Sequence, residues 1–280
     1  MFADAYEMVK GFTFPVVIST RTWDGGVSSG LAAFVVLNDQ GWFATSAHVI
    51  DPWLVWRRHR GEIARYREAA ARLEAAQGRS PAVLPKPDPN WILNQSFWWG
   101  WNGPQLVEVH VRRESDLAVG RLDPFRPEAV SHYPVLKDPE QLRPGTSLCR
   151  VGFPFHELQT AWEEETGRFL LPDQALPVPL FPLEGIFTRQ VNTAKGGPPR
   201  FIETSSPGLQ GQSGGPLCDT AGRVWGIQSR TRHLDLGFAP EVGTRAPGVR
   251  EHQFLNVGMA AHPAELRGLL DEKGISYRAE

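Results

Sequence analysis

Along most of this chain, hydrophobic and polar positions alternate with the short period of β-strands. Phe14 to Thr20 is rich in β-branched residues and predicts a first strand. Gly30 to Leu37 is a second apolar run, and Asn38-Asp39-Gln40-Gly41 is a turn signal. Trp42 to Ala44 resumes the apolar pattern, so the pair predicts a hairpin. Leu106 to Val111 alternates and is expected to pair with Leu117 to Leu122. Val224 to Ile227 is a further strand-like run. Two segments follow the helical period instead. In Glu62 to Gln77 the residues Ile63, Tyr66, Ala70 and Leu73 recur three or four positions apart, and Gly78 can stop the helix. Pro263 to Lys273 is the second, with Gly274 at the position after its end.

The 280 residues suffice for one large or two small domains. The stretch 51–104 interrupts the strand pattern. It is basic first: residues 57–79 hold Arg57, Arg58, Arg60, Arg65, Arg67, Arg72 and Arg79 against Glu62, Glu68 and Glu74. Such a helix presents a solvated face, or binds nucleic acid or an acidic partner. It is aromatic afterwards, with Trp91, Phe97, Trp98, Trp99 and Trp101. These rings form an exposed contact surface or anchor the insertion to the rest of the fold. The insertion 51–104 is therefore a candidate surface for a protein partner. Arg126 to Pro139 reads as a linker, with a second half starting near Gln141. Two long loops are expected in that half, His156 to Pro182 and Arg230 to Gln253.

Composition narrows the class. The net charge of -2 and pI near 6.5 give no global basic field, so nucleic acid is not an expected partner. The 28 glycines and 24 prolines suit many short strands and turns. Two cysteines, Cys149 and Cys218, do not make a secreted disulfide framework and are expected as buried thiols, with a bridge between them left open. Met1 to Met8 lacks a basic segment followed by an apolar one, and no run approaches the ~18 apolar residues of a membrane span. A cytoplasmic location away from membranes is the expectation.

Three segments carry candidate chemistry. Gly211-Gln212-Ser213-Gly214-Gly215-Pro216 places a serine among glycines, which turn tightly and aim backbone N–H groups at one point. That suits a nucleophilic serine with an oxyanion site, a plain turn, or a phosphate-binding nest. Thr45-Ser46-Ala47-His48-Val49 ends an apolar strand on a histidine. Asp116-Leu117-Ala118 opens an alternating strand with an aspartate. Alone, the histidine is an ordinary surface or core residue and the aspartate an ordinary turn residue. Together, in the order His, Asp, Ser, they are hard to assign to chance.

These motifs resemble those of trypsin-like serine peptidases of the chymotrypsin fold. The flavour is nearest the bacterial HtrA (Deg) type, through Leu142 to Phe155 and Phe201-Ile202-Glu203-Thr204. The resemblance implies an all-β protein of two packed six-stranded antiparallel β-barrels, with a helical insertion and a C-terminal helix. Residues 1–130 would form the barrel carrying His48 and Asp116, and 131–280 the barrel carrying Ser213 and a helix at 263–273. It implies a peptide-hydrolysing triad of His48, Asp116 and Ser213 acting on polypeptide, with no metal or cofactor. By motif position, backbone N–H groups of Gly211, Gln212 and Ser213 form the oxyanion hole. Pro207 lies at the floor of the pocket for the P1 side chain, and Ser229-Arg230-Thr231 lines it. A floor without a carboxylate disfavours Arg or Lys at P1. An apolar P1 is expected first, and an acidic one second because of Arg230 and Arg232. Two departures stand out: no PDZ domain is expected after the helix, and Gln212 replaces the aspartate that pairs with a new N-terminus in zymogen-type trypsins. The competing reading is a non-catalytic module of the same fold that binds peptides or protein partners.

Overall fold

A computed structural model describes residues 1–75, 86–156, 158–172, 175–192, 196–237 and 254–280. The expected stop at Gly78 and most of the expected loop up to Gln253 lie outside the described residues. In chain order the first half contains α1 (Ala3–Lys10), β1 (Thr13–Thr22), β2 (Val27–Val36), β3 (Trp42–Ser46), α2 (Ala47–Ala75), β4 (Ile92–Trp98), β5 (Gln105–Arg112) and β6 (Leu117–Asp123). The second half contains β7 (Val135–Leu136), β8 (Ser147–Gly152), β9 (Ala161–Glu163), β10 (Arg168–Leu170), β11 (Phe181–Val191), β12 (Phe201–Thr204), β13 (Pro216–Cys218), β14 (Val224–Asp235), β15 (Phe254–Ala261), α3 (Pro263–Lys273) and β16 (Arg278–Ala279).

The first six strands form one antiparallel sheet in the order β4-β1-β2-β3-β6-β5. Its hairpins are the expected ones: the Leu37 N–H donates to the Trp42 carbonyl across the turn, and β5 pairs with β6 from Gln105↔Asp123 to Arg112↔Leu117. Edge strands β4 and β5 face each other across a cavity of about 110 Å³ bordered by Gln95, Ser96, Gln105 and Leu106. In the second sheet β13 pairs with both β8 and β14, so the sequence β13-β8-β11-β12-β15-β14 returns on itself as a closed six-stranded barrel. The molecule is thus mostly β, with the chymotrypsin-like barrels that the motifs imply. The antiparallel rule has one exception, because β7 and β16 add to the second sheet in parallel.

Three expected segments differ. The helix of the insertion begins at Ala47, not Glu62, because Asp116 caps it: its carbonyl accepts from the Ala47 N–H (3.0 Å) and its Oδ1 from the His48 N–H (3.1 Å). Those donors would otherwise be unsatisfied at a helix start. The helix runs through Pro52, whose ring nitrogen cannot donate to the His48 carbonyl. The expected loop His156–Pro182 contains the hairpin β9–β10 and the first residues of β11. The expected loop from Arg230 begins later, because β14 stays paired with β15 as far as Asp235↔Phe254. The C-terminal helix matches its prediction, with Pro263 in the first turn and Gly274 in the left-handed region at φ 65°.

Of the aromatic residues of the insertion, Trp99 lies in the core, Phe97 and Trp101 pack against it half-buried, and Trp91 packs on Trp23 and Tyr66. Trp99 is 1% exposed and packs against Phe34 and Phe43, with ring centroids 5.3 and 4.8 Å apart. Trp101 lies edge-on to Phe14. They anchor the insertion to the sheet. On α2, the Arg57 and Arg60 guanidiniums lie over the rings of Trp53 and Trp56. Cys149 and Cys218 are buried free thiols at paired positions of β8 and β13. Among the described residues, no helix is long and apolar enough to cross a membrane.

Several links join the halves, three of them as follows. The Ala33 N–H of β2 donates to the Ser213 carbonyl (2.8 Å). Ser46 Oγ donates to the Gln228 carbonyl (2.6 Å). Glu265 of α3, 6% exposed, pairs with Arg200 beside β12 (2.6 Å) and with Arg112 of β5 (3.7 Å).

Candidate active site

The strand β3 ends in small buried residues, Ala44 to Ser46, and delivers His48 to the first turn of α2. Beside it, the 3-10 turn Arg113–Ser115 closes into Asp116, which sits in the left-handed region at φ 51°. An aspartate tolerates that region better than most residues because its side chain bonds locally. Here the side chain turns back over the start of α2. His48 Nδ1 and Asp116 Oδ2 are 2.8 Å apart. Ser229 Oγ donates to the same Oδ2 at 2.5 Å.

The Asp116 carboxylate therefore receives the His48 ring, the His48 backbone and the Ser229 hydroxyl. Burial pushes its pKa up. The His48 ring, the Ser229 hydroxyl and the His48 backbone N–H outweigh that, and hold the carboxyl below its usual range. An ionised Asp116 accepts only, so the hydrogen on His48 is fixed at Nδ1 and the Nε2 lone pair is left outward. The imidazole is half exposed, on the open side of the site.

Ser213 lies in the turn that leads into β13. Gly211 there has φ 93° and Gly214 has φ 84°. A Cβ on Gly211 would stand 2.3 Å from the Phe153 carbonyl oxygen, and one on Gly214 would stand 2.1 Å from that of Ala33. Only glycine fits these two positions. Gln212, fully buried, folds the loop onto itself: its N–H donates to the Leu209 carbonyl (3.0 Å) and its Oε1 accepts from the Leu209 N–H (2.9 Å). The Gln212 N–H is thereby withdrawn from the three expected oxyanion donors. Among the described residues, the Gly211 and Ser213 N–H groups carry no backbone hydrogen bond.

Ser213 Oγ donates to the Ser229 carbonyl at 3.4 Å. Ser229 thus touches both parts: its hydroxyl holds Asp116 and its carbonyl holds the Ser213 hydroxyl. Among the described residues no hydrogen bond joins Ser213 to His48. The sequence marked Ser229 only as a lining residue, and its hydroxyl bond to Asp116 had no local signal.

The remaining candidates lie beside the Ser213 loop. The Pro207 carbonyl accepts from Arg150 Nη1 (2.6 Å). Thr231 Oγ1 donates to the Gly208 carbonyl (2.6 Å), which laces the two expected pocket walls together. Arg230 turns away, its guanidinium 4.6 Å from the centre of the Phe201 ring. On the other side of the loop runs a groove of about 690 Å³, bordered by Gly30, Leu31, Pro154, Phe155 and Leu209. Phe155 is 74% exposed there and holds φ at 64°.

Among curated protein sequences the chain finds no match. The model of the trypsin-like peptidase domain matches residues 32–227, well over half of the 280. That span runs from β2 through β3, β6 and the Ser213 loop into β14, and so contains His48, Asp116 and Ser213. With its barrels and its matched span, the chain belongs to the trypsin-like peptidase family.

Proposed function

We propose that the protein is a serine endopeptidase that cleaves polypeptide through an acyl-enzyme, with His48, Asp116 and Ser213 as its triad. The observation that carries this reading is the shared position of Ser229, which holds the Asp116 carboxylate with its hydroxyl and the Ser213 hydroxyl with its carbonyl. Asp116 keeps the His48 proton at Nδ1, so Nε2 can accept a proton. Catalytic hydrogen bonds are often long or misaligned without substrate. A substrate N–H that takes the Ser229 carbonyl frees the Ser213 hydroxyl to turn toward Nε2.

Ser213 Oγ then attacks the scissile carbonyl and passes its proton to His48. The oxygen that gains negative charge meets the Gly211 and Ser213 N–H groups, held by the Gln212–Leu209 pair. His48 returns the proton to the leaving amine, and a water repeats the sequence to release the acid. Each oxyanion donor is worth on the order of 10²–10³ in rate. A fluorophosphonate probe tests the assignment. Labelling is expected on Ser213 alone and lost in Ser213→Ala. Labelling at Ser46 or Ser229 would refute the Ser213 assignment, and no labelling at all would favour the peptide-binding module instead.

A further inference from the structure

Arg150 is a cation in the wrong place for stability alone. It stands in the middle of β8, between Cys149 and Val151, and is 1% exposed. A buried guanidinium is normally matched by a carboxylate, since removing a charge from water is costly. Among the described residues Arg150 has no acidic partner within 4.0 Å. Every acceptor around it is neutral. Nε donates to Gln228 Oε1 (3.0 Å). Nη1 donates to the Ser206 carbonyl (2.5 Å), the Ser206 hydroxyl (2.8 Å) and the Pro207 carbonyl (2.6 Å), and Nη2 to Thr204 Oγ1. Burial lowers its pKa to about 10, so it remains charged at neutral pH.

Its neighbours are those that the family resemblance places around the P1 side chain. Pro207 is the expected floor and Ser229-Arg230-Thr231 the expected wall. Gln228 joins the two. A guanidinium only donates, so the Gln228 oxygen must face Arg150 and its NH₂ must face the other way. That NH₂ reaches toward the Arg230 carbonyl (3.3 Å), and a Cβ on Gly208 would lie 2.2 Å from it. The bare glycine thus lets the Gln228 NH₂ pack directly against the backbone of the Pro207–Gly208 loop, beside the expected floor. Behind them is a fixed positive charge whose field is weakly screened in the interior.

We propose that Arg150, through Gln228, makes the P1 pocket select an acidic side chain, Asp or Glu. This rests on the peptidase reading above and names the substrate class of that site. It replaces the expectation of an apolar P1, and it takes the positive charge from Arg150 and not from Arg230, which lies over Phe201. A P1 carboxylate accepts from the Gln228 NH₂ and supplies the counter-charge that the buried guanidinium lacks. A P1 Lys or Arg meets the same field as a repulsion.

Substrates that differ only by an acid and its amide, Asp against Asn and Glu against Gln at P1, isolate the charge. For the unaltered protein, kcat/KM for the acid is expected to exceed that for the amide by about tenfold or more. Arg150→Met is expected to bring the ratio near one. The ratio is internal to each sample, so a smaller folded fraction does not move it. If Arg150→Met does not fold, the ratio of the unaltered protein decides alone. The same peptides binding to Ser213→Ala, followed by calorimetry, read the preference without turnover. Absent fluorophosphonate labelling would sink the peptidase reading, and the binding ratio would then judge the pocket separately. A ratio near one, or in favour of the amide, overturns the proposal in whichever measurement applies. So does an unchanged acid preference in folded Arg150→Met.

Discussion

The two halves of the molecule bury different things. The first sheet buries mostly carbon: Phe34, Phe43, Trp99, Val35 and Val36 are almost wholly enclosed, with aromatic rings edge to face, in a cluster that continues into Val151, Val224 and Ile227 of the second half. The second barrel shares in that cluster, adds a smaller apolar one around Leu148, Phe187 and Trp225, and also encloses Arg150, Glu203, Thr204, Gln212, Gln228 and Ser229. Apolar burial is non-directional and tolerant of small shifts. A buried polar group must find its partner in position or cost free energy. The first half therefore supplies stability and a fixed mounting for His48 and Asp116. The second supplies direction: the Gln212–Leu209 pair sets the Ser213 loop, and Arg150 sets Gln228.

That division can be broken by experiment. The largest effect belongs to the seam between the halves. Asp116→Asn leaves an oxygen for the cap of α2 but favours the wrong His48 tautomer. Turnover per folded molecule should fall by about 10⁴, the size of such a change in a Ser-His-Asp triad. A loss under tenfold in steady-state kinetics would mean that another group orients His48. Next is the aromatic core. Trp99→Ala should cost about 3–5 kcal/mol in denaturant unfolding, while the P1 acid-to-amide ratio holds. A changed ratio would mean that the first sheet also shapes the pocket.

A smaller effect concerns Ser229. The folded pKa of Asp116 is below its ordinary value of 3.8. Its ionised form thus adds stability that is present above that value and is lost as pH falls through the folded one. Ser229→Ala removes one of the hydrogen bonds that lower it. The folded pKa should rise toward the ordinary value, so the acid-linked loss is smaller and is complete at a higher pH. Unfolding midpoints measured from neutral pH down to acid check this, and superimposable profiles would show that Ser229 does not hold the charge. The smallest effect is on the outer face of α2. Arg57→Ala loses an exposed stack on Trp53 and should change stability by only about 0.5–1 kcal/mol. A larger loss in the same unfolding assay would give the basic face a structural role.

The strands of the first sheet were legible because period-two alternation and the turn at Asn38–Gly41 act locally. The motifs around His48, Asp116 and Ser213 were legible as strings, and the structure brings two of the three into direct contact. The start of α2 was not, because its cap is Asp116, far away in sequence. The β9–β10 hairpin was hidden by the acidic run Glu163-Glu164-Glu165, although Gly167, at φ 64°, makes its turn. Arg150 and Gln228 gave a faint signal only, a charge and an amide inside apolar runs. Their meaning depends on β8, β12 and β14 closing around one point, and no single segment encodes that.

The bond from the Ala33 N–H to the Ser213 carbonyl has a consequence in time. The serine loop hangs partly on a strand made early in synthesis, while β13 and β14, which frame it, are made late. The hydroxyl takes its place only after the two halves have folded and docked, and domains of a growing chain generally fold from the N-terminal side first. A nascent chain therefore carries its first sheet for some while before it has an aligned serine. The order of manufacture thus delays the alignment of Ser213 until both halves have been made.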